Sequence, residues 1–408
     1  MLEDYKTAID IGSNKIVAVI SEYDSVVKDL RICGYSEVES DGVRNGIVVN
    51  IDVLSNKIAK AIEEVEKMAG REVRNIIINA SGKHINVIQS EGIHAVENQG
   101  YEITYNDICK VLETAKAVKM NPDSSILNIF PIEYKIDGQG GIIMPLNMVG
   151  VRLEVKVNII TGDNRAMHNL IKSINSLNLQ VDDYIFSGIA SANAVLTEEE
   201  KEHGVLLMDI GAGTIDVIGY ENNSVFCVDS FDKGGEDVNI EIAKNFNTSL
   251  KEADRLKKEY GYALLNLCNA DETIQINILG NAKKVIIKRC ELVLVIENTL
   301  RKIFKEVLKK IENHDLKNRC VAGIVLTGGS AELKGIAELL EEITELPVRI
   351  GYPILKNNNK IMRQSKYATS IGLLRYIFEN EELKYLEYSP RRYDNFMGWV
   401  KDLVAQIF

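Results

Sequence analysis

Two short runs in this 408-residue chain end an apolar stretch in an aspartate and follow it at once with a glycine-bearing turn. The first is Asp10-Ile11-Gly12-Ser13-Asn14-Lys15. A hairpin turn of this kind presents successive backbone N–H groups, and Gly12 lets an anion approach them closely. Lys15 can neutralise phosphate oxygens there. The Asp10 carboxylate would face the cation that accompanies them, through water, as magnesium prefers. The second run, Asp209-Ile210-Gly211-Ala212-Gly213-Thr214, is richer. Gly211 and Gly213 free the backbone for an anion nest, Thr214 adds a hydroxyl, and Asp209 repeats the metal-facing position. One such turn alone is equally an ordinary surface hairpin. Two facing each other would clamp one ligand.

Two further glycine pairs suit the same ligand. Gly234-Gly235 runs into a helix from Glu236, and Gly328-Gly329-Ser330 follows the buried-type strand 321–327, with a helix expected from about Glu332. A strand end feeding a glycine turn and a helix N-terminus is a common ligand site in α/β folds. Each pair is weak by itself. The order DxG, DxGxGT, GGE, TGGS is specific.

The elements that must carry these turns repeat. Residues 8–20 (AIDIGSNKIVAVI) and 207–219 (LMDIGAGTIDVIG) share one strand–turn–strand pattern, about half a chain apart, so each opens one of two related halves. Around them strands alternate with helices. Strands are predicted at 47–50, 75–80 and 151–161, and helices at 52–69, stopped by Gly70, and at 164–177. This alternation predicts α/β layers on predominantly parallel sheets. Two inserts interrupt it. Residues 84–161 form an α+β module with a helix near 104–119 and two returning strands, and residues 238–300 are helical with a strand pair near 272–288.

The four-turn order resembles the ATPase domain shared by actin, the DnaK-type chaperones and sugar kinases. That resemblance implies an actin-like fold, with two related halves around a nucleotide cleft and ATP with Mg2+ as the ligand. It implies phosphate contacts from Ser13, Asn14, Lys15, Gly211, Gly213 and Thr214, with Asp10 and Asp209 facing the metal. Nucleoside contacts fall to Gly234, Gly235, Glu236, Lys257, Gly328, Gly329 and Ser330. Within the superfamily the chain is most similar to the bacterial FtsA family of division proteins. The likeness runs through GVRNGIVVNIDVLSNKIAKAIEEVEKMAG, INASGKHI and PIEYKIDGQGGIIMPLNMVGVRLEVKVNIITG. It implies subdomains 1A (1–83 and 162–193), 1C (84–161), 2A (194–237 and 301–379) and 2B (238–300). It also implies actin-like filaments of the chain with itself, binding to the tubulin-like FtsZ and other division proteins, and attachment to lipids on the cytoplasmic face of the cell membrane at the division site. The FtsZ-binding surface would lie near residues 238–310. One position departs from the pattern: relatives often read Glu-Pro where this chain has Ser187-Gly188. A serine is a poor base for activating water, so tight ATP binding with slow or no hydrolysis is expected.

The C-terminus carries a different signal. Residues 380–392 read as a polar linker and 393–408 (YDNFMGWVKDLVAQIF) as an amphipathic helix. Phe396, Trp399, Val400, Leu403, Val404 and Ile407 share one face. Such a helix rises only about 24 Å, too short to span a bilayer, and suits lying in its interface with Trp399 at headgroup depth. Arg391 and Arg392 would meet anionic lipids. The bland reading, a terminal helix docked on protein, has no use for the tether.

Bulk composition narrows the remainder. A formal charge of -11 with no basic block argues against nucleic acid as partner. Six scattered cysteines without a CxxC pair argue against a disulfide framework or zinc site. The N-terminus has no signal-peptide core, and no apolar run reaches transmembrane length. Two other readings stand beside the division filament: a sugar-kinase-type phosphotransferase, for which no acceptor-side base is visible, and a pilus-assembly relative, which has no need of the terminal helix.

Overall fold

The computed structural model describes residues 5–24, 26–97, 100–280, 284–356 and 359–387, the side chains of 379–387 excepted. The first half begins with β1 (Tyr5–Ile11), β2 (Lys15–Asp24) and β3 (Asp29–Glu39), followed by a small hairpin of β4 (Val43–Arg44) and β5 (Ile47–Val48). Helix α1 (Ile51–Ala69) and β6 (Asn75–Ala80) come next. The inserted module holds β7 (Asn86–Ala95), α2 (Tyr105–Lys116), β8 (Ser124–Ile136), β9 (Gln139–Ile142) and β10 (Arg152–Asp163). The half closes with α3 (Asn164–Asn175), β11 (Gln180–Phe186) and α4 (Ser187–Val195).

The second half runs α5 (Glu198–His203), β12 (Val205–Ile210), β13 (Ile215–Glu221), β14 (Ser224–Phe231), α6 (Gly235–Phe246) and α7 (Leu250–Tyr260). A strand pair, β15 (Thr273–Ile276) and β16 (Val285–Lys288), leads into the long α8 (Arg289–Lys310). Then come α9 (Leu316–Arg319), β17 (Ile324–Thr327), α10 (Ile336–Thr344), β18 (Val348–Ile350) and α11 (Ala368–Glu387).

The two main sheets have the same plan. In the order β3-β2-β1-β6-β11 and β14-β13-β12-β17-β18, three antiparallel strands are extended by two parallel ones. This corrects the expectation of predominantly parallel sheets. The tight turns after Asp10 and Asp209 can join only antiparallel neighbours, so each half starts as a meander and turns parallel only where a helix crosses back. The insert forms a separate sheet, β7-β10-β8-β9, which returns on three strands rather than two.

Local chemistry explains the elements. In α1 the Asn50 side chain caps the Val53 N–H at 3.1 Å, and Gly70, at φ 64°, donates its N–H back to Glu66 O at 2.8 Å. Its inner face, Leu54, Ile58, Ala61, Ile62 and Val65, is buried against the first sheet, and each large aliphatic chain there is worth about 1.5–3 kcal/mol. The strand expected at 47–50 is only two residues long, because Asn50 is already the cap. Where α4 and α11 cross, Gly372 lies so close to Ala190 O that a Cβ would collide with it. One apolar core, including Ile189, Ala194, Ile371 and Leu374, runs through that crossing and joins the halves.

Helix α11 continues to Glu387, so the stretch read as a linker from Asn380 begins as helix. Good helix formers (Glu, Leu, Lys) let a packed helix propagate at little cost. Residues 388–408, including the face made by Phe396, Trp399, Val400, Leu403, Val404 and Ile407, lie outside the described residues. Among the described residues no helix is long and apolar enough to cross a membrane.

Candidate functional site

The two aspartate turns are built alike. In the β1–β2 hairpin Ile11 pairs with Ile16, and the Gly12 N–H donates to Lys15 O at 3.0 Å. In the β12–β13 hairpin Ile210 pairs with Ile215, and the Gly211 N–H donates to Thr214 O at 2.9 Å. The turns face each other. A Cβ on Gly213 would sit 2.7 Å from Ser13 Oγ and 2.8 Å from Asn45 Oδ1. Between the halves lies a cavity of about 780 Å³, and its lining includes all sixteen residues named from the sequence as ligand-contacting.

The later glycine pairs support the second turn. Gly235 N–H donates to Gly211 O at 3.0 Å and Glu236 N–H to Ala212 O at 2.8 Å. The first donors of α6 are thus engaged within the protein, and the pair packs beneath the turn instead of offering these N–H groups to a ligand. Ser330 Oγ donates to Gly211 O at 2.9 Å, and Gly328, at φ 86°, lies against Asp209, leaving no room for a side chain. The helix expected near Glu332 begins only at Ile336. Gly329–Glu332 form a single 3-10 turn instead, followed by Gly335 at φ 85°. Lys257 Nζ donates to Gly235 O at 2.8 Å and lies 3.6 Å from Asp254. Burial holds the Lys257 ammonium below the ordinary lysine value, against the pull of Asp254.

Three buried carboxylates sit at the floor. Burial raises Asp10 to about 6, opposed by Lys15 Nζ at 3.7 Å and reinforced by Asp209. Asp209, raised by burial, accepts from Ser191 Oγ at 2.5 Å and Thr369 Oγ1 at 3.1 Å. Asp216, raised by burial to about 7, accepts from Ser230 Oγ at 2.5 Å and Ser81 Oγ at 2.6 Å. Buried acids that resist ionisation for want of positive charge, in a cleft, fit a hard cation. Among the described residues no three acidic, histidine or cysteine side chains converge on one point. The donor set therefore suits a largely hydrated ion held by Asp10 and Asp209. Lys15 also donates to Lys366 O, from the other half.

Sequence reasoning missed Asp216, Ser81, Ser191, Thr369 and Asn79. An aspartate inside the apolar run Ile215–Ile218 was a signal for the first. The others carry none. Ser187, expected from the sequence to be a poor base, opens α4 at the cleft and is 3% exposed. Its Oγ donates to Ala80 O at 3.2 Å and accepts from Asn79 Nδ2 at 3.1 Å, while Asn79 Oδ1 accepts from Ile11 N–H at 2.7 Å. That hydroxyl's proton is committed to Ala80 O, and an un-ionised serine hydroxyl offers no base.

Comparison with known proteins bears on both fold and family. The arrangement superposes on the PilM-PilN type IV pilus biogenesis complex with a TM-score of 0.65 at 14% identity, covering 91% of this chain and 98% of that one. It also matches MreB5 of Spiroplasma citri bound to ADP, with a TM-score of 0.57 at 14% identity over 95% and 99% of the two chains. The fold is therefore that of the actin-like ATPases. The family model for cell division protein FtsA matches residues 206–372, and the model for the SHS2 domain inserted in FtsA matches 82–161. FtsA of Pseudomonas aeruginosa is 36% identical over 369 residues, 90% of this chain and 88% of that protein. FtsA of Escherichia coli is 31% identical over 405 residues, 97% and 95% of the two. Both the duplicated core and its insert are thus matched, and the chain belongs to the FtsA family of cell division proteins.

Proposed function

We propose that the chain binds ATP between its halves and, in that state, polymerises on the cytoplasmic face of the cell membrane, tethering FtsZ to it at the division site. The observation that carries the ATP reading is the pair of matching aspartate turns facing each other across one cavity. The two turns would take the phosphates, with Lys15 and Thr214 beside them. Gly234, Gly235, Glu236, Lys257 and the Gly328–Ser330 turn would flank the nucleoside. Solved structures of MreB5 of Spiroplasma citri, bound to ADP and to AMPPNP, share the fold and support a nucleotide in this place. Mg2+ would supply charge neutralisation of the phosphates, held by Asp10 and Asp209 through water. Ser187, with its hydroxyl engaged on both sides, supports slow or absent hydrolysis. Steady-state turnover above about 1 per second, ordinary for a dedicated enzyme, would sink that part.

Family membership supports FtsZ, other division proteins, further copies of this chain and membrane lipids as partners. Attachment would run through the helix of residues 393–408. Six apolar side chains at about 1.5 kcal/mol or more each must offset the ordering of that helix, so one copy binds reversibly and a filament gains avidity. The experiment is vesicle co-sedimentation of the full chain and of a chain ending at Ser389, with and without ATP. ATP-dependent pelleting of the full chain only is expected. Equal behaviour of the two proteins removes the anchor.

A further inference from the structure

The sequence scatters its six cysteines, yet the fold brings two of them into contact. Cys268, in the loop before β15, and Cys290, in the first turn of α8, hold their Sγ atoms 3.0 Å apart. Both thiols also face one acceptor, Asn269 O, at 3.6 and 3.4 Å. Both are partly exposed. Cys227 and Cys320 differ: each is buried in the apolar core of the second half, and burial pushes each thiol up to about 12, which leaves it protonated and inert. Cys33 and Cys109 lie in the first half, on β3 and α2.

The thiol pair is set by its neighbour Arg289. The Arg289 guanidinium grips both Glu272 carboxylate oxygens at 2.9 and 2.8 Å and donates from Nε to Tyr260 O at 2.7 Å. The Arg289 backbone N–H donates to Glu272 O at 2.8 Å, and the guanidinium stacks over the Tyr262 ring at 4.1 Å. These contacts fasten the loop carrying Cys268 to the start of α8 on both sides of the thiols. A disulfide needs its sulfurs about 2.05 Å apart, so closure asks for a movement of only about 1 Å. Tyr262 and Arg289 both line the cleft.

We propose that Cys268 and Cys290 form an oxidation site, which a peroxide closes into an intrachain disulfide stapling the cleft wall that carries Tyr262 and Arg289. One thiolate attacks a peroxide oxygen, the O–O bond breaks, hydroxide leaves, and a sulfenic acid remains. The second thiolate attacks that sulfur, the S–O bond breaks, and a second hydroxide leaves. The two hydroxides take up the two thiol protons. Two thiols give up two electrons, the peroxide accepts them, and one S–S bond and two waters result. The two sulfurs are in contact and both are partly exposed, so whichever thiol attacks first has the other beside it to resolve the sulfenic acid. The effect of the staple on ligand exchange rests on the reading of the cleft as a nucleotide site.

The reduced full chain is titrated with hydrogen peroxide, alkylated, digested and read by mass spectrometry without reduction. Expected is one linked peptide pair joining Cys268 to Cys290, with two of the six free thiols lost. In Cys268→Ser no link forms, and Cys290 becomes trappable by dimedone as a sulfenic acid. A link to any other cysteine, a link only between two chains, or six thiols surviving peroxide that fully oxidises a small dithiol overturns the proposal. Release of a fluorescent ATP analogue is then timed. Oxidised protein should release it at least threefold more slowly, reductant should restore the rate, and Cys268→Ser should show no change. Equal rates with the disulfide formed overturn the action on the cleft. A reduced protein that binds no analogue overturns the nucleotide reading instead, and the mass spectrum still decides the oxidation site.

Discussion

Replacing Asp216 with asparagine should stabilise the ligand-free protein, and more at neutral and alkaline pH than in acid. Asp216 lies on β13, 3% exposed, its oxygens held by Ser230 and Ser81, and burial raises it from an ordinary 3.8 to about 7. Because the folded value lies above the unfolded one, the native state holds an extra proton between about pH 4 and 7. Its stabilising effect is complete below about 3.8 and is lost as pH rises through about 7. At about 1.4 kcal/mol per tenfold, the ionised folded protein is less stable than the protonated one by roughly 4 kcal/mol. Asparagine imitates the protonated carboxyl and keeps both serine contacts, so Asp216→Asn should recover much of that at pH 7 and pH 8.5 and only about 1.6 kcal/mol at pH 5. At about 1–2 °C per kcal/mol for a chain of this size, the gain in Tm is several degrees. Differential scanning calorimetry of both proteins at pH 5, 7 and 8.5, without nucleotide or divalent ions, reads it. A pH-independent difference, or a loss of Tm at pH 8.5, refutes the argument that an uncompensated charge sits at this floor.

Other substitutions test separate parts of the architecture. Gly213→Ala places a methyl 2.7 Å from Ser13 Oγ and forces the facing turns apart. At about 1–3 kcal/mol for overpacking, affinity for an ATP analogue should fall roughly 5- to 150-fold in a fluorescence titration. Gly372→Ala drives a methyl into the Ala190 carbonyl at the crossing of α4 and α11, and thermal unfolding should show a loss of about 1–3 kcal/mol or more. Phe304→Ala, at a fully buried site in the core of the second half, should cost about 3–5 kcal/mol in chemical denaturation.

What the sequence made legible is what local physics writes into short stretches. Helix α1 was legible to within one residue, because a cap, a 3.6-residue apolar period and a terminal glycine all fall inside one window. The turns at Gly12 and Gly211 were legible because each needs only the few residues that form it. The repeated pattern also implied two related halves, which the matching strand orders bear out. The antiparallel share of each sheet was hidden, although the hairpins themselves were read, because strand–helix alternation does not record where a meander ends. Ser81, Ser191 and Thr369 were hidden for another reason. Ser81 meets Asp216 across 135 positions, and Thr369 meets Asp209 across 160. A hydroxyl in a serine- or alanine-rich run gives no local sign of the carboxylate it will find.

These long-range pairs bear on how the halves move relative to each other. At the base, α4 and α11 cross through a largely apolar core, with Gly372 against Ala190 and one buried hydroxyl pair, Ser191 with Thr369 at 3.0 Å. Across the cleft, the links between halves are polar. Ser81 Oγ donates to Asp216, Gly82 N–H donates to Ser230 Oγ at 3.0 Å, and Lys366 Nζ and Tyr367 OH reach Glu37 at 2.8 and 2.7 Å. Each such bond is worth about 1 kcal/mol net and can be replaced by water. Parting the helix crossing would instead expose apolar surface at about 25 cal/mol per Å². Any parting of the halves would therefore break these polar links first, with the helix crossing as the hinge. A cation at Asp10 and Asp209 would withdraw part of the like-charge repulsion that Asp216 now feels from both of them, favouring its ionised form and the charge-assisted bond from Ser81. Charge neutralisation at Asp10 and Asp209 would then favour closure of the halves, because Asp216 feels their charge and carries a bond across the cleft.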